Sequence, residues 1–230
     1  MKRSLLLALA ITAIPCAHGQ QIVAQSNFVN RQQAPGPQIS MTVRADFVLF
    51  SVRYVTATRS EDARRDELTR MFQTVTQRAA RAEGITIEVG TPGNSAALET
   101  ATVKEMIRVT NGDRSTMDLV LKVMVRERDT FETIRTRTEK FVADAPLTGR
   151  VEAVIGDSQF LGISDPKKHR DALVKAIAED VKLMQGSFGA PVSVNLSGME
   201  ARTQTRPVGP LDLEIYIPYS MSVRSGGSPD

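Results

Sequence analysis

The run Lys167-Lys168-His169-Arg170 is the first place in this chain where side-chain chemistry could be sought. Its histidine and His18 are the only two in 230 residues, and Cys16 is the sole cysteine. A zinc or iron centre draws on several imidazole or thiolate ligands. Cys16 and His18 lie in a leader-like N-terminus, so one remaining histidine cannot build such a site within one chain. A Ser–His or Cys–His nucleophilic pairing lacks support for the same reason, because His169 falls in a charged helical turn. The carboxylate pairs Glu61-Asp62, Asp66-Glu67 and Glu179-Asp180 all sit on expected helices beside basic residues. A solvated, ion-paired helix face accounts for them without general acid–base chemistry. Asn111-Gly112-Asp113 is too short for a calcium loop and reads as a hairpin turn. The chain has neither a dinucleotide-binding glycine fingerprint nor a phosphate-binding P-loop. No catalytic, cofactor-binding or metal-binding residue is therefore assigned, and no cofactor is expected.

The chain opens MKRSLLLALAITAIPCAHG. A short basic start, an apolar stretch of about a dozen residues and small residues before Gln20 have the form of a secretory signal peptide, residues 1–19. The apolar stretch falls short of the roughly 20 residues of a membrane span. Pro15 before Cys16 argues against a lipidated cysteine. Cleavage after Gly19 removes the cysteine and with it any disulfide or thiol centre. It also removes Lys2 and Arg3, leaving 27 basic against 26 acidic residues. The charges are interspersed, which gives no nucleic-acid footprint. The rest of the chain has no apolar run of transmembrane length, so the mature chain is expected to have no transmembrane segment.

Residues 20–38 carry Gln, Asn and Ala-Pro-Gly-Pro and read as a flexible lead segment. In Ile39–Thr58 the apolar positions change phase near Ala45-Asp46, which predicts two successive strands. Ser60–Glu83 has Leu68, Met71, Phe72, Val75, Ala79 and Ala82 at helical spacing, with Ser60 as N-cap and Gly84 as the stop. A strand at 85–89 and a loop at 91–97 follow. Residues 100–109 and 115–125 read as strands joined through Asn111-Gly112. Asp129–Glu132 resembles a capping box that opens a second helix, to about Ala145. A strand within 150–163, a third helix, and strands at 191–200 and 211–223 complete the order ββαβββαβαββ. Residues 225–230 are a polar tail. This is an α+β pattern, with amphipathic helices on one side of a largely antiparallel sheet, as one domain over 39–224 or as two subdomains.

The third helix begins at the basic run. Asp165 suits its N-cap and Pro166 its first position. Leu173, Ala176, Ile177, Val181 and Met184 form an apolar stripe that Phe188 could extend. Asp171, Lys175 and Glu179 stand four residues apart on the outer face. Met41, Met71, Met117 and Met184 fall on apolar faces as core fillers.

The segment from "SDP" through this helix to "FGAPVSV", with the tail "LDLEIYIPYSMSV", resembles the SIMPL-domain family. The resemblance reaches back through "NGDRSTMDLVLKVMVRERDTFETI" to "ISMTVRAD", where Asp46 lines up with the family's Pro-Asp step and Ala45 replaces the proline. It spans about Ile39–Val223. It implies an exported protein, periplasmic or associated with the cell envelope, in a family with ring- or channel-like oligomers and a proposed part in oxidative or envelope stress. The family has no established catalytic residues to carry over. The expectation is a non-enzymatic, self-assembling periplasmic protein with a homo-oligomeric partner. The alternative is a monomeric module that captures an envelope protein, an extended peptide or a small ligand at a sheet edge, with the Pro218-bearing terminal strand as that edge.

Overall fold

The computed structural model describes residues 22–25, 39–92, 94–97, 103–110, 112–188 and 192–225. The expected leader at 1–19 lies outside them, as does the polar tail apart from Ser225. Inside the lead segment expected to be flexible, Ile22–Gln25 forms a strand, β1, antiparallel to a later one. Its Ile-Val-Ala-Gln sequence carries the apolar, β-branched character that the surrounding Gln- and Pro-rich composition masked.

The phase change at Ala45-Asp46 separates β2 (Ser40–Arg44) from β3 (Phe47–Thr56). The two strands belong to different sheets, and these two residues stitch the sheets together. Ala45 N–H donates to Leu211 O at 2.8 Å, Asp46 N–H to Gly162 O at 2.9 Å, and Asp46 O accepts from Val125 N–H at 2.9 Å. The Asp46 carboxylate accepts from Ser164 N–H at 2.8 Å.

Helix α1 (Glu61–Ala79) starts at Ser60, whose hydroxyl accepts from Ala63 N–H, with Glu61 and Asp62 complementing the positive end of the helix dipole. Next come β4 (Ile85–Thr91) and β5 (Asn94–Ala97), an antiparallel pair in which Thr91 faces Asn94. The 91–97 stretch is thus not a plain loop. Pro92 lies in the turn between them, and the runs on either side pair. The expected strand at 100–109 is divided into α2 (Val103–Met106) and β6 (Arg108–Thr110). Val103 and Ile107, four residues apart, are both buried, which favours a helical turn packed on α1 over an extended strand. The hairpin into β7 (Arg114–Met124) closes as expected, with Thr110 opposite Arg114.

Helix α3 (Phe131–Ala143) is capped one residue later than the sequence suggests. Thr130 and Thr133 exchange side-chain and backbone hydrogen bonds. Asp129 is engaged elsewhere, by Arg126 N–H and by the Arg137 guanidinium, both at 2.9 Å. After β8 (Glu152–Ile163), α4 (Lys167–Ser187) starts from Pro166 without a side-chain cap. The Asp165 carboxylate instead accepts from Lys167 N–H at 3.1 Å. Then follow β9 (Val192–Ser197), β10 (Gln204–Pro207), β11 (Asp212–Tyr216) and β12 (Ser220–Ser225). The expected strand at 211–223 is two strands, broken around Pro218, which has no N–H to give a ladder. β10 had no strand expected for it; its Gln-Thr-Arg-Pro sequence lacks apolar alternation.

Every strand pairing is antiparallel. The main sheet runs β1-β8-β3-β7-β4-β5, with β6 also on β7; a second runs β10-β11-β2, and β9 and β12 form a two-stranded ribbon. This is an α+β fold. Val48, Phe50, Val52 and Tyr54 of β3, with Met117, Leu119, Leu121 and Val123 of β7, meet Leu68, Met71, Phe72 and Val75 of α1. Ile134 and Phe141 of α3, Leu173 and Ile177 of α4, and Leu213 and Ile215 of β11 join the same cluster. Each fully buried side chain of this kind stabilises by about 1.5–3 kcal/mol. On the opposite face, Phe47, Leu49 and Val120 form a smaller cluster. Gly162 lets the Phe47 ring lie flat on the neighbouring strand, since a Cβ there would stand 2.2 Å from the ring.

Candidate functional site

His169 lies in the first turn of α4, half-buried. Burial first, then the neighbouring Lys168, hold its imidazole below the usual histidine value, while Asp46 and Asp165 pull the other way. Lys168 Nζ stands 3.9 Å from Asp46 Oδ1. The basic run therefore meets the sheet junction, and its side chains secure helix to sheet. Arg170 donates to Ala201 O at 2.7 Å and to Met199 O, which pins α4 to the turn between β9 and β10. Among the described residues no cluster of three or more His, Cys, Asp and Glu is placed to hold a metal ion.

One carboxylate pair departs from the solvated face expected of it. Glu67 is buried, and its carboxylate accepts from Thr56 Oγ1 at 2.6 Å and from Thr58 Oγ1 at 2.9 Å. Gly149, at φ +62°, passes against it; a Cβ there would lie 2.3 Å from Glu67 Oε1. One turn earlier Arg64 is 2% exposed, bonded to Ser115 Oγ at 3.0 Å, Thr58 O at 2.8 Å and Gly112 O at 3.1 Å. These hydrogen bonds tie the start of α1 to β3 and to the β6–β7 turn. No sequence spacing signals this, since the partners come from four separated segments. With its groups satisfied and closed off from solvent, the network serves as a tether.

The surface with unspent bonding capacity is built by α4 and the β9–β12 ribbon. Helix α1 buries seven residues in 19, whereas α4 buries only Leu173 and Ile177 in 21. Past Ile177 the stripe loosens: Val181 and Met184 are half-buried, Leu183 is 70% exposed and Phe188 is 53% exposed. The neighbouring ribbon is packed no more deeply. Val194 pairs with Val223 and Leu196 with Met221, and Ser197 and Ser220 join hydroxyls at 2.7 Å. Leu196 reaches the main core, while Val192, Val194, Met221 and Val223 stay half-buried outside it. Among the described residues neither β9 nor β12 pairs with a third strand, so each presents an open edge. β9 reads Val-Ser-Val-Asn-Leu-Ser, without charge, Pro or Gly, and β12 carries only Arg224. Such an edge lacks the lysines, prolines and bulges that keep strands from pairing with other chains.

A strand at 191–200, next in the chain after the third helix, was legible in the sequence. The open ribbon was not, because it depends on β11 and β12 parting company at Pro218. No helix among the described residues is long and apolar enough to cross a membrane. No family model matches the chain, and neither the curated proteins nor the solved structures yield a match.

Proposed function

We propose that this chain is an exported, non-enzymatic SIMPL-like protein of the periplasm that self-assembles and supports envelope or oxidative stress tolerance. The observation that carries the assembly is the open, nearly uncharged β9–β12 ribbon beside the exposed end of α4. A second copy offers a matching neutral edge, so strand addition between copies closes as a two-fold pair or continues around a ring. The signal-peptide form of residues 1–19 and the resemblance over Ile39–Val223 supply the compartment and the stress role. Light scattering on the exported protein tests the assembly: a strict monomer at micromolar concentration contradicts it.

The second reading places an extended envelope peptide on the same edge. Cutting the whole 211–230 tail does not distinguish the two, because Leu213, Ile215 and Ile217 are fully buried and their loss unfolds the core. Removal of 220–230 alone takes away β12 and leaves β11. Peptide capture then disappears from a protein that was monomeric throughout, whereas self-assembly is lost from one that was not.

A further inference from the structure

The ends of α1 and α3 enclose a groove of about 470 Å³, within the size range of small-molecule sites. Its walls include Gln77, Arg78, Arg81, Ala82, Phe141 and Pro146, with no carboxylate among its lining residues. Two guanidinium groups thus share a cleft with an aromatic ring and two further apolar side chains. Arg78 lies over the Phe141 ring, with Cζ 5.4 Å from the centroid, so its plane is fixed before any ligand arrives. It commits one donor, at 3.3 Å, to Asp144 outside the lining, and its Nε is buried without a partner among the described residues. Arg81 is exposed, and its side chain makes no hydrogen bond or ion pair with the described residues. A guanidinium carries five N–H donors in a fork that fits a planar oxyanion. Asp144 offsets one of the two positive charges, leaving about one to be matched.

We infer that this groove binds an amphipathic monocarboxylate, with the carboxylate on Arg81 and Arg78 and the apolar body against Ala82 and Pro146. The cation pair sets the charge of the ligand, and the apolar wall sets the need for a hydrocarbon or aromatic body. Inorganic phosphate carries too much charge and no such body, and an uncharged alcohol leaves Arg81 unmatched. The site lies on α1 and α3, apart from the β9–β12 ribbon, so it stands or falls separately from self-assembly.

Isothermal titration of the exported protein with decanoate tests it, with decanol and inorganic phosphate as comparisons. Saturable one-to-one binding of decanoate is expected, weakening with added salt. Arg81→Ala weakens it about tenfold, the scale of one charge-assisted hydrogen bond. The melting temperature of that variant stays at the parent value, since Arg81 is exposed and unpaired. Arg78→Lys keeps the charge but loses the planar fork, and also binds more weakly. A Val194→Lys/Val223→Lys ribbon variant binds decanoate as the parent does. Failure of decanoate to saturate the parent overturns the proposal. So does equal binding by decanol, or an Arg81→Ala protein that binds decanoate as tightly as the parent.

Discussion

Tyr54 carries its phenol into the core with no hydrogen-bond partner among the described residues, and the residue is fully buried. An unpaired buried hydroxyl costs about 1–3 kcal/mol. Tyr54→Phe is therefore expected to stabilise the fold by about 1 kcal/mol in denaturant titrations. Burial pushes the Tyr54 phenol up to about 12, from 10.0 in the unfolded chain. A phenol that is harder to ionise when folded leaves stability independent of pH below its unfolded value, and the fold loses stability as pH rises from 10.0 toward 12. Alkaline unfolding curves of parent and Tyr54→Phe should diverge in that window. His169 works in the opposite direction. Its folded value is depressed, so its contribution is intact above 6.5 and declines as pH falls through 6.5 toward the lower folded value. His169→Gln should flatten that acid limb in a thermal-melt series. Asp129 shows how local geometry displaces a sequence motif. Burial raises its carboxyl, but Arg126 N–H and Arg137 outweigh burial and hold it below the usual aspartate value. That engagement takes Asp129 out of the cap and hands the role to Thr130. A capping-box pattern marks the start of the helix, and which oxygen caps it depends on an arginine eight residues away.

Elements with strong amphipathic period were legible in advance: α1 with its Ser60 cap, the alternation of β3 and β7, and the apolar stripe of α4. Elements whose identity is settled by partners were not. Val103–Ile107 has little intrinsic preference, and burial against α1 makes it a turn of helix. β10 has no apolar pattern and exists because β11 offers it a ladder. Asp171, Lys175 and Glu179 have the spacing of helix ion pairs, yet the i,i+4 pairs that form among the described residues are Glu61–Arg65 and Arg135–Glu139 on α1 and α3. Arg170 ties α4 to Met199 and Ala201, in the turn that leads out of β9. Arg170→Ala should leave the stability of the main sheet within about 0.5–1.5 kcal/mol of the parent, the scale of a lost hydrogen bond. Amide exchange should rise in β9 and β12 and stay unchanged in β3 and β7. Equal loosening of both sets would show that the ribbon is part of the central cooperative unit.

At the scale of the molecule, the α+β architecture follows from the order of periodic segments, while the division into three sheets does not. It turns on Ala45-Asp46 and on Pro218, two short breaks at which neighbouring strands change partners. The same breaks create the ribbon proposed for assembly, because the chain leaves β11 in the core and carries β12 out to it. A charged edge is the natural guard against strand pairing, so installing one is the most direct way to interfere with assembly. Val194 and Val223 are half-buried outside the main core, so two lysines there repel across the ribbon and leave the core packing untouched. The decisive measurement is the solution mass of the protein beside its Val194→Lys/Val223→Lys variant, by light scattering at micromolar concentration. The account predicts an oligomer for the parent and a folded monomer with a retained thermal transition for the variant. A monomeric parent, or a variant that assembles as the parent does, would contradict it.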